Sequence, residues 1–133
     1  MIIYKKNYIS IAYYEAEQLL EITWSAYAAS AEYRDAMLQY IHILKNYEVK
    51  RWLDDYRLSR VVRLSDQKWT KEEWAPLFYP HVQQLEKMAR VRSNDISARI
   101  SCENMFKTVD NSTLPYSFRE FEQYGEARNW ILG

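Results

Sequence analysis

The chain has 133 residues, which suits one domain around a single core. Its 18 Lys and Arg balance 18 Asp and Glu, so it lacks the positive surplus that wholesale binding to nucleic acid or an anionic membrane requires. Two Gly leave no Gly-rich phosphate loop, and one Cys with two His leaves neither a disulfide framework nor a Cys/His zinc site.

Met1-Ile-Ile-Tyr-Lys-Lys6 holds no apolar run of signal-peptide length, and no stretch approaches the ~20 apolar residues of a membrane span. The expected location is the cytoplasm. No linker, internal repeat or low-complexity segment divides residues 1–133, so a single domain is expected. From Tyr8 to Ser25 the pattern has period two, with Leu20, Ile22 and Trp24 on one side and Glu21 and Thr23 on the other. It predicts an antiparallel pair turning near Glu15-Ala16, without an Asn-Gly or Asp-Gly turn to set its register.

After Ser30, the positions of Tyr33, Met37, Tyr40, Ile41 and Leu44 follow the spacing of a helix whose wet face carries Glu32, Arg34, Asp35 and Lys45. Residues 49–56 read as a strand. Thr70-Lys-Glu-Glu73 has the form of a capping box and predicts a helix to about Lys87, which Pro76 and Pro80 kink or break. Residues 88–92 read as a short strand with Ala89 and Val91 opposite Arg90 and Arg92. The spacing of Cys102, Met105, Phe106 and Val109 predicts a helix, Tyr116 to Phe121 a last strand behind Pro115, and Tyr124 to Leu132 a closing helix. The predicted fold class is α/β with the order ββαβαβαβα, a mixed, mostly parallel sheet with an antiparallel edge hairpin.

That order at this length resembles the STAS/SpoIIAA-like domains. Local features that carry the resemblance are Lys45-Asn-Tyr-Glu-Val-Lys-Arg51 before a strand ending Trp52-Leu-Asp-Asp-Tyr-Arg57, then Asp66-Gln-Lys-Trp69, Trp74-Ala-Pro76, Phe118 to Phe121, and Glu126-Ala-Arg-Asn-Trp130-Ile-Leu132. They are similar to the uncharacterised SpoIIAA-like branch over nearly the whole chain. The resemblance implies an interaction module of the anti-sigma-factor-antagonist kind, switched in its best-studied branch by a phosphorylated serine in an Asp-Ser-Ser-Gly motif. The corresponding stretch here, Leu58-Ser59-Arg60-Val-Val-Arg63-Leu-Ser65-Asp66, has no glycine. Ser59 and Ser65 are the candidate phosphorylation sites, within reach of Arg57, Arg60 or Arg63; the plain alternative is loop and capping serines.

Asp54 and Asp55 are adjacent on a strand, so they point to opposite faces and do not form one carboxylate pair. Asp55 with Arg57 lies near the carboxyl end of a central parallel strand, where open α/β sheets place ligands; the alternative is an ion pair that holds the following loop. His42 and His81 have no GxSxG elbow to serve, Cys102 falls among the apolar positions of its helix, and no HExxH motif is present. No catalytic residue, metal ligand or cofactor is expected.

With 12 Tyr, 5 Trp and 4 Phe, aromatic residues make up 16% of the chain. Trp69, Trp74, Phe78 and Tyr79 cluster around the loop and the start of the kinked helix, and Tyr13, Tyr27, Tyr47, Tyr56 and Tyr116 are the rings expected at the surface. Exposed rings favour protein contacts. The expected function is therefore a non-catalytic module that binds an unidentified protein partner and forms a homo-oligomer, a homodimer in partner-switching regulation. The alternative is a small-molecule or lipid-binding domain with an apolar pocket near Trp69, Trp74 and Phe78. The expected contact residues are Asp55, Arg57, Trp69, Trp74 and Phe78.

Overall fold

Alternating burial along residues 9–14 and 19–24 produces the antiparallel hairpin that the period-two pattern predicts. In the computed structural model, which describes residues 1–107 and 109–133, β2 (Ile9–Tyr14) pairs with β3 (Leu19–Trp24), placing Ile11 opposite Ile22 and Tyr13 opposite Leu20. The turn between them spans residues 15–18, and Gln18 takes the left-handed conformation at φ 50°. Its carbonyl accepts hydrogen bonds from the amides of Lys50 and Arg51 at 2.9 and 3.1 Å. The bend that strains Gln18 therefore also fixes where the next parallel strand enters the sheet.

An unpredicted strand, β1 (Ile2–Lys6), pairs antiparallel with the outer side of β2. The order is thus βββαβαβαβα, with six strands and a three-stranded antiparallel section in place of the predicted edge hairpin. Tyr8 belongs to the two-residue turn that joins β1 to β2 and not to the predicted strand. Ile2-Ile-Tyr has strand-forming character, but the run is short and ends in two lysines, so its pattern is weak. Lys5 and Lys6 are exposed on this edge strand, where charge discourages pairing with another chain.

The strands β4 (Arg51–Asp55), β5 (Lys87–Val91) and β6 (Ser117–Phe121) run parallel to β3, and the sheet order is sequential from β1 to β6. Each crossover advances one strand in the same direction, so a single handedness sends every crossing helix to one face. Accordingly α1 (Ser30–Asn46), the helical run of residues 64–81 and α4 (Ile96–Phe106) share the larger core, built on Ile11, Ile22, Trp52 and Met88. The last helix, α5 (Tyr124–Leu132), is not a crossover. It covers the opposite face with Ala127 and Ile131 against Leu53, Ala89 and Val91.

The capping box at Thr70 does not form. Helical structure begins earlier, with α2 (Leu64–Trp69), and continues through a π-helical turn (Thr70–Trp74), α3 (Ala75–Phe78) and a 3₁₀ turn (Tyr79–His81). Thr70 is fully buried; its hydroxyl lies 2.7 Å from the Asp66 carbonyl and 2.7 Å from the Tyr33 hydroxyl, so the side chain is engaged inside the helix rather than at its end. Pro76 and Pro80 fall at the starts of the short segments, as the predicted break requires, and the run ends at His81 rather than near Lys87. Likewise α4 starts at Ile96, where Asp95 caps it by accepting from the Ser97 amide at 3.1 Å. Ile96 and Ile100 face solvent, so apolar spacing does not mark these first turns. Val109 lies beyond the end of α4, and the predicted helix at residue 108 falls outside the described residues.

Two rings expected at the surface, Tyr13 and Tyr116, are buried, whereas Tyr27 is exposed and Tyr47 and Tyr56 are half-buried. The core takes in more rings than expected because their polar ends find partners. Tyr13 donates its hydroxyl to the Glu48 carbonyl at 2.6 Å, Trp24 its indole N–H to the Tyr40 hydroxyl at 2.8 Å, and Trp74 its own to the Met37 carbonyl at 2.7 Å.

Candidate functional site

The π-helical turn and α3 hold Trp74 and Phe78 against the sheet, with ring centroids 4.3 Å apart and stacked. Phe78 meets Trp52 of β4 edge-on at 5.6 Å, and Trp52 meets Tyr40 of α1 at 5.3 Å. This aromatic wall bounds one side of a cavity of about 290 Å³, near the small end of the roughly 300–1,000 Å³ of ligand pockets. The other side is α4, through Ala98, Cys102 and Phe106, and the floor is the sheet face that carries Asp54, Met88, Arg90 and Phe118.

Period two puts Asp54 and Arg90 on that floor, and the parallel register sets them directly beside each other. Asp54 and Arg90 are both buried, at 3% and 8% exposure. Their closest approach is 3.5 Å, from Arg90 Nη2 to Asp54 Oδ2, beyond the roughly 2.7–3.2 Å of a good N–H···O bond. Asp54 Oδ1 instead accepts the Trp52 indole N–H at 2.7 Å. The Arg90 guanidinium is surrounded by the rings of Phe106, Phe118 and Tyr56, with centroids 4.7, 5.1 and 5.3 Å away. Its buried Nε has no hydrogen-bond partner among the described residues.

Burial pushes the Asp54 carboxyl above the usual carboxylate range, opposed by the Arg90 charge. Burial also pushes the Tyr56 and Tyr40 hydroxyls well up, with the Asp54 charge adding to the effect. For Arg90, burial works against the charged form, but the surrounding Cys102, Tyr56 and Asp54 outweigh it and leave the guanidinium firmly protonated. Cys102 is held above the usual thiol range by burial, so it is a poor nucleophile near neutral pH.

No family model, curated protein or solved structure matches this chain.

The five expected contact residues do not converge on one site. Trp74 and Phe78 line the cavity; Trp69 lies outside it, edge-on to Tyr33 at 6.4 Å and under the Arg34 guanidinium at 5.0 Å. Asp55 and Arg57 belong to the opposite face, as the alternation of β4 requires. Arg57 donates from Nε and Nη2 to the two Asp55 oxygens at 2.9 and 2.8 Å and stacks on the Tyr124 ring at 4.4 Å. This is the loop-holding ion pair that the sequence leaves as an alternative. The cavity is also not purely apolar, because Arg90 and Asp54 lie within it. Alternation marks Arg90 only as opposite Ala89; the available signal is an acid and a base at matching positions of neighbouring central strands.

Ser59 donates its hydroxyl to the Tyr56 carbonyl at 2.8 Å, and Ser65 is exposed in the first turn of α2. The nearby arginines already have partners: Arg57 has Asp55, Arg60 lies 3.8 Å from Asp95, and Arg63 donates to the Tyr27 hydroxyl at 2.7 Å. Loop 58–63 and the first turn of α2 run beside α4, tied to it by the Ser93 hydroxyl on the Ser59 carbonyl and by the Val62 amide on the Ser101 hydroxyl. Leu58, Val61, Leu64, Ile96 and Ile100 are exposed on these elements. Among the described residues, no three His, Cys, Asp or Glu are grouped to hold a metal ion, and no helix is long and apolar enough to cross a membrane.

Proposed function

We propose that this chain is a SpoIIAA-like domain without catalytic activity whose role is to bind a small molecule in the cavity between α4, the π-helical turn and the sheet. The observation that carries the reading is the cavity itself: about 290 Å³ with nine aromatic side chains among its lining, in a fold that elsewhere packs its rings tightly. The cavity opens to solvent and combines aromatic walls with a few buried polar groups, the make-up of a small-molecule site. The sequential parallel order of β3 to β6, with its crossover helices on one face, supports the SpoIIAA-like reading. Trp52 and Trp74 line the cavity, so a bound ligand alters tryptophan emission. Titration with a metabolite and fatty-acid panel, followed by native mass spectrometry of the purified protein, tests the reading. A saturable emission change that Ala98→Leu abolishes is expected; no response and no retained ligand would overturn it.

A second reading is supported by the exposed Leu58, Val61, Leu64, Ile96 and Ile100. Apolar side chains gathered on adjacent elements favour a protein contact, and we propose that this edge pairs two copies of the chain in the manner of a partner-binding module. Light scattering at micromolar concentration is expected to give a dimer that Ile96→Glu dissociates. A strictly monomeric mass would remove this second reading and leave the first untouched.

A further inference from the structure

Arg90 is the side chain in the cavity that the fold leaves incompletely matched. It is more than nine-tenths buried and lines the cavity, yet its nearest acidic oxygen stands at 3.5 Å and its Nε meets no acceptor among the described residues. A guanidinium carries five donors in a planar fork, and leaving them unmatched out of water is unfavourable. The rings of Phe106, Phe118 and Tyr56 lower that cost through their faces but offer no acceptor in the guanidinium plane. Nε is closed off from the cavity, so an incoming acceptor meets the guanidinium at its Nη groups, where two oxygens in its plane, the geometry of a carboxylate, match the fork.

Building on the small-molecule reading above, we propose that the cavity takes an aromatic monocarboxylate, its carboxylate bound by Arg90 and its ring held among Trp74, Phe78, Tyr79 and Tyr116. Toward the mouth Arg92 pairs with Glu120 and Glu122, and Arg99 with Glu122, while Glu103 and Lys107 are exposed. Arg90 is the cation deeper inside, and Asp54 lies beside it. A ligand carboxylate shares Arg90 with Asp54, whose own carboxyl burial already holds toward its protonated form, and a phosphate dianion brings one more negative charge against Asp54.

Calorimetric titration with 2-naphthoate and its neutral amide, 2-naphthamide, tests the proposal on the wild-type chain. The acid is expected to bind at least ~10-fold more tightly than the amide, the scale of a charge-assisted hydrogen-bonded pair. Arg90→Gln is expected to remove this preference while moving amide affinity by less than ~3-fold, and Arg90→Lys to keep part of it as a point charge without the fork. Equal affinity for acid and amide would overturn the carboxylate assignment and leave the cavity reading standing. Inorganic phosphate binding more tightly than the naphthoate would overturn the monocarboxylate class. Failure of both naphthyl compounds to bind at millimolar concentration would overturn this proposal whether or not the wider panel finds another occupant. The wild-type comparison decides even if Arg90→Gln does not fold.

Discussion

The indole N–H of Trp52 donates to Asp54 Oδ1 at 2.7 Å, two residues along the same face of β4. That bond holds the carboxylate in place while its other oxygen faces Arg90 across to β5 at 3.5 Å. The pair is buried from both sides, so its members depend on each other. Removing one partner is expected to cost about 3–5 kcal/mol, as Asp54→Ala or Arg90→Met. The double variant should cost less than the sum, with a coupling of roughly 0.5–3 kcal/mol in urea unfolding. Additive losses would mean that the two charges do not sense each other.

The same carboxyl gives stability a particular slope with pH. Its folded pKa is raised, chiefly by burial, so the native state holds the proton more tightly than the unfolded chain. The contribution is fully present below the unfolded value of about 4 and is lost as pH climbs through the higher folded value. Asp54→Asn should remove that part of the slope. Urea midpoints of the two proteins at a series of pH values from acid to neutral check it; parallel curves would contradict the assignment.

At the alkaline end the tyrosines act in the same sense. Burial raises the hydroxyl pKa of Tyr33, Tyr40 and Tyr56 above its ordinary value. An unfolded chain ionises its tyrosines near ~10, so stability held below that pH is lost as pH rises beyond it. Tyrosinate absorbance of the native protein should lag behind that of the urea-unfolded chain and then rise together with loss of tertiary circular dichroism. Complete ionisation without unfolding would show that these rings reach solvent.

Tyr40→Phe tests the polar ends inside the aromatic core. It keeps the ring contacts with Trp52 and Trp74 but leaves the Trp24 indole N–H without its acceptor. A buried donor left unmatched costs about 1–3 kcal/mol. Thermal or urea unfolding reads the loss, and a neutral substitution would mean that water replaces the hydroxyl.

Gln18→Gly is expected to go the other way. The left-handed φ of 50° strains a side chain that glycine lacks, while the carbonyl that receives Lys50 and Arg51 is unchanged. The net effect should be neutral to stabilising by up to ~1 kcal/mol, because glycine also enlarges the unfolded ensemble. A loss of more than that would show that the Gln18 side chain itself secures the turn.

What the sequence made legible follows burial. The hairpin of residues 9–24, α1 and the parallel strands carry clean periodicity because one side of each faces a core. Where periodicity failed, other forces governed the local structure. Thr70 resembles a cap because Ser/Thr with Glu three residues later is a helix-start pattern, yet its hydroxyl found the Asp66 carbonyl and Tyr33 instead. The start of α4 stayed hidden because Ile96 and Ile100 point to solvent. At the site, Trp74 and Phe78 were readable as a helical stripe. Arg90 was not, since its importance arises only when the β4–β5 register places it beside Asp54, and register across a crossover is a tertiary fact.

The position of α5 bears on how the chain is made. Leu53, Ala89, Val91 and Phe121 come from three successive parallel strands, and the helix that shields them follows all three in the sequence. During synthesis the sheet therefore emerges with one side dressed by its crossover helices and the other bare until residues 124–132 leave the ribosome. A nascent chain stalled before Tyr124 would be a sticky intermediate, because α5 is the element that closes this apolar face of the sheet.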